Sequence, residues 1–150
     1  RELRIRKQQE ALRTKSFKAL KGQLPWPAEG RIIAKFGRQW NSKLKTTTEN
    51  PGIDIKGKPG SAIRSVLGGI VTTITYIRGY GTTLIIDHGG GFYTVYSHVT
   101  NIQTSVDSQV RNGDIIAYMG DSGSINGSKL HFEIWGKGQK LDPEKWLIKK

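Results

Sequence analysis

Residues 130–135 read Leu130-His131-Phe132-Glu133-Ile134-Trp135. Successive side chains of a strand point to opposite faces. On that reading His131 lies on the face opposite Leu130 and Phe132, a polar group on an otherwise apolar strand. The segments before it have the same character. Gly69–Ile77 and Thr82–Asp87 are β-branched runs joined by Arg78-Gly79-Tyr80-Gly81, a hairpin signal. Phe92–His98 follows the turn Gly89-Gly90-Gly91 and ends Tyr96-Ser97-His98. Ile115–Met119 is a further apolar run, and the Gly/Ser-rich stretch Asp121–Ser128 reads as loop.

Upstream, Arg31–Phe36 alternates weakly. Ile53–Ile55 and Ala62–Val66 are short strands separated by Gly57-Lys58-Pro59-Gly60. Trp40–Glu49 is polar and Thr/Lys-rich and reads as a mobile loop. Short strands at this spacing, without alternating helices, predict an antiparallel all-β domain. No internal repeat is visible.

Residues 1–21 contain no Pro or Gly and are rich in helix-forming Arg, Lys, Gln, Glu, Leu and Ala. Gly22 is a stop signal, and Pro25 and Pro27 forbid helix. We therefore divide the chain into a basic helix, 1–23, the expected end of an upstream coiled coil, and a β domain, 24–150. Trp26, between the prolines, is expected to anchor the linker.

The 150 residues carry a net charge of +12 and no cysteine. Disulfides and thiol chemistry are excluded. Residues 1–22 hold eight Lys/Arg against two Glu, so half the excess sits there. Such charge favours anionic partners, although a basic helix can also be a simple solvated face. No apolar run reaches membrane-spanning length. The chain starts at Arg1 without a signal-peptide pattern, which suggests a piece of a longer protein. Nucleotide loops, a serine nucleophile elbow and RNA-binding signatures are absent, so no nucleic-acid partner is expected.

Three segments carry the candidate chemistry: Asn50-Pro51-Gly52-Ile53-Asp54, Tyr96-Ser97-His98 and Lys129-Leu130-His131-Phe132-Glu133. In order and separation they resemble the signatures of the lysostaphin/LytM-type zinc endopeptidases, which cut peptidoglycan cross-bridges. That family uses His-x-x-x-Asp in the first segment and His-x-His in the third. Matching context runs from about Leu24 to Leu147. The resemblance implies an antiparallel sheet bearing a groove. Its metal positions fall on Asn50, Asp54 and His131, and two further catalytic positions fall on His98 and Lys129.

A catalytic zinc needs three protein ligands and an open position. The amide of Asn50 is a weak ligand beside imidazole. The Lys129 ammonium has no acceptor and would repel a cation; it could instead pair with Asp54. No zinc and no catalysis are therefore expected. Each residue also has a plainer reading: Asp54 as a turn residue, His98 bonded to a neighbouring strand, His131 half-exposed and inert. His88, before three glycines, reads as structural.

Members without intact ligands resemble EnvC-type activators of murein hydrolases, in which a degenerate LytM domain follows a coiled coil. The Leu24-Pro25-Trp26-Pro27 entry and the Leu141–Leu147 ending fit this. The resemblance implies an N-acetylmuramoyl-L-alanine amidase as partner, a periplasmic or envelope location, and a partner groove of Asn50, Asp54, Tyr80, His98, Lys129 and His131. Trp40 and Trp135 are further groove candidates. Two alternatives stay open. One is an active endopeptidase using Glu49 as substitute ligand; the other is a passive peptidoglycan binder. A local pattern, Val106 to Gly120, also resembles the turn of biotinyl and lipoyl carrier domains. It lacks their lysine-bearing hairpin.

Overall fold

A computed structural model describes residues 17–120 and 127–150 of the chain. The helix expected over 1–21 therefore lies, for residues 1–16, outside the described residues, as does most of the loop expected at Asp121–Ser128.

The strands are β1 (Arg31–Ala34), β2 (Gly37–Asn41), β3 (Thr46–Asn50), β4 (Ile53–Lys56), β5 (Ala62–Arg64), β6 (Gly69–Ile77) and β7 (Gly81–Gly89). They continue as β8 (Phe92–Ser97), β9 (Val99–Thr100), β10 (Gln109–Val110), β11 (Ile115–Met119), β12 (Lys129–Gly136) and β13 (Gln139–Leu141). A single helical turn, α1 (Pro143–Trp146), starts at Asp142, whose carboxylate accepts from the Glu144 N–H, with Pro143 at its first position.

The large sheet runs β1-β4-β12-β8-β7-β6-β10, with β13 also paired to β12. A smaller sheet, β5-β11-β9, covers it. All named strand pairs are antiparallel, as the hairpin-rich sequence predicts. Alternation decides what is buried. Ile53 and Ile55 of β4, and Leu130, Phe132 and Ile134 of β12, point inward and are fully buried. They meet Ile63, Ile116 and Met119 from the smaller sheet within one core. Burying a side chain of this size contributes roughly 1.5–3 kcal/mol.

The expected mobile loop at Trp40–Glu49 is instead a hairpin, β2–β3, with Trp40 opposite Thr47. The run Thr46–Thr48 is β-branched and suits a strand. Polar residues fill both faces because the ribbon projects from the sheets and buries little. At the tip, Oδ1 of Asn41 accepts from the amides of Lys43 and Leu44 at 3.0 and 3.1 Å. That Asx-type turn is a weak signal in the sequence.

The packed unit reaches upstream of Leu24. Phe17 is fully buried and its ring stacks on Phe92, with centroids 4.6 Å apart, beside Trp146. Leu24 and Leu147 form a parallel bridge that ties the entering and leaving chain together. Trp26 anchors the entry as expected: its Nε1 donates to the Ile148 carbonyl at 2.7 Å.

One register positions the site. His131 of β12 lies opposite Asp54 of β4 on one side and opposite Ser97 of β8 on the other. Segments far apart in sequence thus meet in one row. The row is tight: a β-carbon on Gly52 would fall 2.2 Å from the Phe132 carbonyl oxygen, so glycine is required where the chain enters β4.

Candidate functional site

At that row the outer face of the sheet opens into a cavity of about 390 Å³. Asn50, Asp54, Tyr80, His98, Lys129 and His131, the six expected groove residues, all line it. The β2–β3 hairpin supplies one wall through Gln39, Thr48 and Glu49. Trp40 projects on the same hairpin and is 64 % exposed. Trp135 lies further along β12, beside Tyr93, with ring centroids 6.3 Å apart.

Lys129 of β12 lies opposite Lys56 and reaches Asp54 of β4 diagonally. The Lys129 ammonium donates to Oδ2 of Asp54 at 3.0 Å. Oδ1 of the same carboxylate lies 2.6 Å from Nδ1 of His131. The other ring nitrogen, Nε2, lies 2.8 Å from Oε2 of Glu133. A carboxylate can only accept, so both contacts are satisfied together when His131 carries its second proton. Burial alone would lower the pKa of His131. The hydrogen bonds and charges of Asp54 and Glu133 outweigh burial and raise it above the usual histidine value.

The two carboxylates respond in kind. Burial would raise both. The His131 and Lys129 contacts hold Asp54 below the usual carboxylate value, and His131, Trp135 and Lys140 do the same for Glu133. Glu133 also accepts from Nε1 of Trp135 at 2.7 Å. The result is an alternating row of charges, Lys129, Asp54, His131 and Glu133, closed by Lys140 at 3.7 Å.

The aromatic and histidine walls complete the groove. The Tyr80 ring stands 4.9 Å from the His131 ring and 6.4 Å from the His98 ring. Its partial burial and the nearby charges of Glu133 and Asp54 raise the phenol pKa, so the phenol stays protonated. His98 sits at φ 63°, a left-handed conformation that is uncommon outside glycine. Its backbone N–H donates to the Tyr80 carbonyl at 2.9 Å, so the turn carrying Tyr80 and the end of β8 are fixed to each other.

Zinc does not fit these residues as they stand. Oδ1 of Asn50 accepts from the Gly52 N–H at 3.1 Å in a local turn. Both oxygens of Asp54 are engaged, and an imidazolium at His131 has no lone pair to offer. The Lys129 ammonium adds repulsion. Among the described residues, no group of three or more His, Cys, Asp and Glu side chains is arranged to hold a metal ion.

His88 is structural: it is fully buried, bonded to the Gly68 carbonyl at 2.8 Å and to Thr94 at 2.7 Å. The carrier-like stretch is also structural. Asn112 accepts from the Gly68 N–H, and Asp114 accepts from the Arg111 N–H, closing a turn between β10 and β11. Glu133 and Lys140 were not expected at the site. The signal for Glu133 was present, since 129, 131, 133 and 135 share one strand face.

An antiparallel sheet bearing an Asp/His groove resembles the frame of a metal-dependent peptidase. The chain belongs to peptidase family M23, whose sequence profile matches residues 48–143. It is 33 % identical over 135 residues to the murein hydrolase activator EnvC of Escherichia coli, covering 90 % of this chain and 31 % of that protein. It is 40 % identical over 123 residues to outer membrane antigenic lipoprotein B of Haemophilus influenzae, covering 81 % and 28 %. A zinc-containing peptidase from Vibrio cholerae has the same fold, with a TM-score of 0.75 at 22 % identity over 86 % of this chain and 41 % of that one. The chain spans about three tenths of the length of the relatives it matches.

Proposed function

We propose that this is a non-catalytic M23 domain that binds and activates a peptidoglycan amidase during cell-wall remodelling and daughter-cell separation. The observation that carries this reading is the Lys129–Asp54–His131–Glu133 row. It supplies positive charge from within the chain where the family places a metal, and it leaves the groove open. The E. coli relative is a murein hydrolase activator, which supports the same reading.

The groove is the docking surface in this proposal. Tyr80 is a half-buried aromatic beside fixed charges, the kind of residue in which binding energy concentrates. Glu49 and the exposed Trp40 on the hairpin supply the rim. The partner is an N-acetylmuramoyl-L-alanine amidase, with peptidoglycan as a further ligand. The location is the cell envelope, on the periplasmic side, in keeping with a lipoprotein among the relatives. No helix among the described residues is long and apolar enough to cross a membrane. Residues 1–23 continue, in this reading, from an upstream coiled coil.

Calorimetry of the chain against a cognate amidase tests the proposal. Tyr80→Ala and Lys129→Glu should each weaken binding by about tenfold or more while the circular dichroism spectrum is kept. Unchanged affinity in a folded variant carrying both would move the interface elsewhere. The second reading, an active endopeptidase with Glu49 as substitute ligand, draws on Glu49 lining the same cavity. It requires near one zinc per chain in purified protein; the committed donor atoms argue for none.

A further inference from the structure

A strip of lysines runs along the seam where the two ends of the described chain pair, away from the groove. Lys18 and Lys21 lie on the entering segment, Lys137 on the β12–β13 turn, and Lys145, Lys149 and Lys150 on and after α1; all are exposed. Gly22 and Leu24 bond the Trp146 carbonyl, which holds entry and exit side by side. Among the described residues, none of these lysines pairs with a carboxylate. Upstream, residues 1–16 of the sequence add six Lys/Arg against two Glu.

Two observations distinguish the strip from a scattered solvated surface. The first is convergence. Lys18, Lys21 and Lys137 surround an open cavity of about 570 Å³ floored by Phe92 and Trp146. Lys18 and Lys137 line the same cavity, and the nearby Lys137 side chain lowers the Lys18 pKa. Like charges held together without a counter-charge favour an anion between them. The second is backbone conformation. Lys137 and Gly138 form the two-residue turn between Gly136 and Gln139, with φ of 51° and 79°. Turns of this shape ordinarily take Asn-Gly or Gly-Gly. A lysine stands there instead.

We propose that this strip docks the domain on an anionic phospholipid surface, with a headgroup phosphate seated between Lys18 and Lys137. The apolar features around it favour lipid over other polyanions. Ile148 is 51 % exposed beside Trp26, at the edge of the strip. An exposed apolar side chain flanked by lysines is the usual composition of a membrane-contacting surface. Single-stranded nucleic acid needs open aromatic faces for stacking. Here Lys150 lies 4.3 Å from the Trp26 ring centre and Lys21 lies 5.4 Å from that of Trp146, each over its ring.

Co-sedimentation of the whole chain with phospholipid vesicles tests this. Binding should appear with phosphatidylcholine vesicles carrying phosphatidylglycerol and not with phosphatidylcholine alone, and it should weaken as salt rises. Lys18→Glu with Lys137→Glu should lower partitioning roughly tenfold or more. Lys43→Glu, on the remote hairpin tip, should change it by less than about twofold. Lys137→Asn suits the turn better, so it should melt no lower than the parent yet bind several-fold more weakly. Tyr80→Ala should bind vesicles normally, which separates this proposal from the groove. The proposal is overturned if neutral vesicles bind equally or the double reversal has no effect. It is also overturned if a heparin or DNA column retains the chain while vesicles do not.

Discussion

The Lys129 ammonium stands 3.0 Å from Oδ2 of Asp54, and the remaining oxygen of that carboxylate is committed to His131. This pairing closes the coordination of Asp54 from within the chain. Side chains only 11 % and 14 % exposed carry it, so it is shielded from the screening that makes surface pairs nearly worthless. Breaking one partner of a buried pair is costly because the other charge is stranded.

The row predicts a stability plateau in mildly acidic solution. Asp54 and Glu133 have lowered folded pKa values. Their contribution is present above the unfolded carboxylate value, about 4, and is lost as pH falls through the folded values. His131 has a raised folded value. Its contribution is complete below the unfolded histidine value, about 6.5, and is lost as pH rises through the folded value. Urea midpoints should therefore be highest between about pH 4.5 and 6.5 and fall on both sides. His131→Gln should flatten the alkaline limb; an unchanged alkaline limb in that variant would contradict the imidazolium.

The same row sets the order in which metal affinity can be rebuilt. Asn50→His with Lys129→His restores every family position and removes the ammonium. Zinc affinity should rise measurably over the parent, because ligand identity and orientation both count. His131 must still give up a proton that Glu133 holds in place, so zinc binding should strengthen with pH. Adding Glu133→Gln should tighten it further near pH 6. Hydrolysis is not expected to follow, since positioning errors of about 1 Å can cost roughly 100-fold in rate. Calorimetry showing no gain in the folded double variant would contradict the convergence of these segments.

Gly52→Ala should damage the site without touching a groove residue. Its β-carbon would meet the Phe132 carbonyl oxygen, a backbone atom that cannot swing aside. A loss of about 1–3 kcal/mol in urea unfolding is expected, as for other overpacked positions. Amide exchange should accelerate first along β4 and β12. Parent-like exchange there would mean that the register tolerates more than its spacing suggests.

Phe17 is the test of the domain's upstream limit. It is fully buried against Phe92, Trp146 and His88. Phe17→Ala should cost about 3–5 kcal/mol, the range for emptying an aromatic core position. Removal of residues 1–23 should destabilise the remainder comparably. A truncated chain as stable as the parent would restore the boundary to the prolines.

Sequence reasoning reached Phe17 poorly because a buried aromatic at the end of a charged, helix-forming stretch looks like part of a loose stripe. It reached the sheet well. Strict alternation at Leu130–Trp135 and β-branched runs at Gly69–Ile77 are dictated by which face is buried, and the observed strands follow them. The β2–β3 hairpin escaped because a ribbon without a buried face has no hydrophobic period to read. The six groove residues do line one cavity, since pairing register brings 54, 97 and 131 together. What the sequence did not reveal was the rise in the His131 pKa. That depends on carboxylates on both ring nitrogens, and the second, Glu133, becomes meaningful only once the strand face is built.

The most direct measurement is dye release from labelled peptidoglycan in three parallel reactions: the chain alone, a cognate amidase alone, and the two together. Release is expected only in the mixture, and it should be reduced by Tyr80→Ala. Release by the chain alone, abolished by a chelator and restored by zinc, would contradict it.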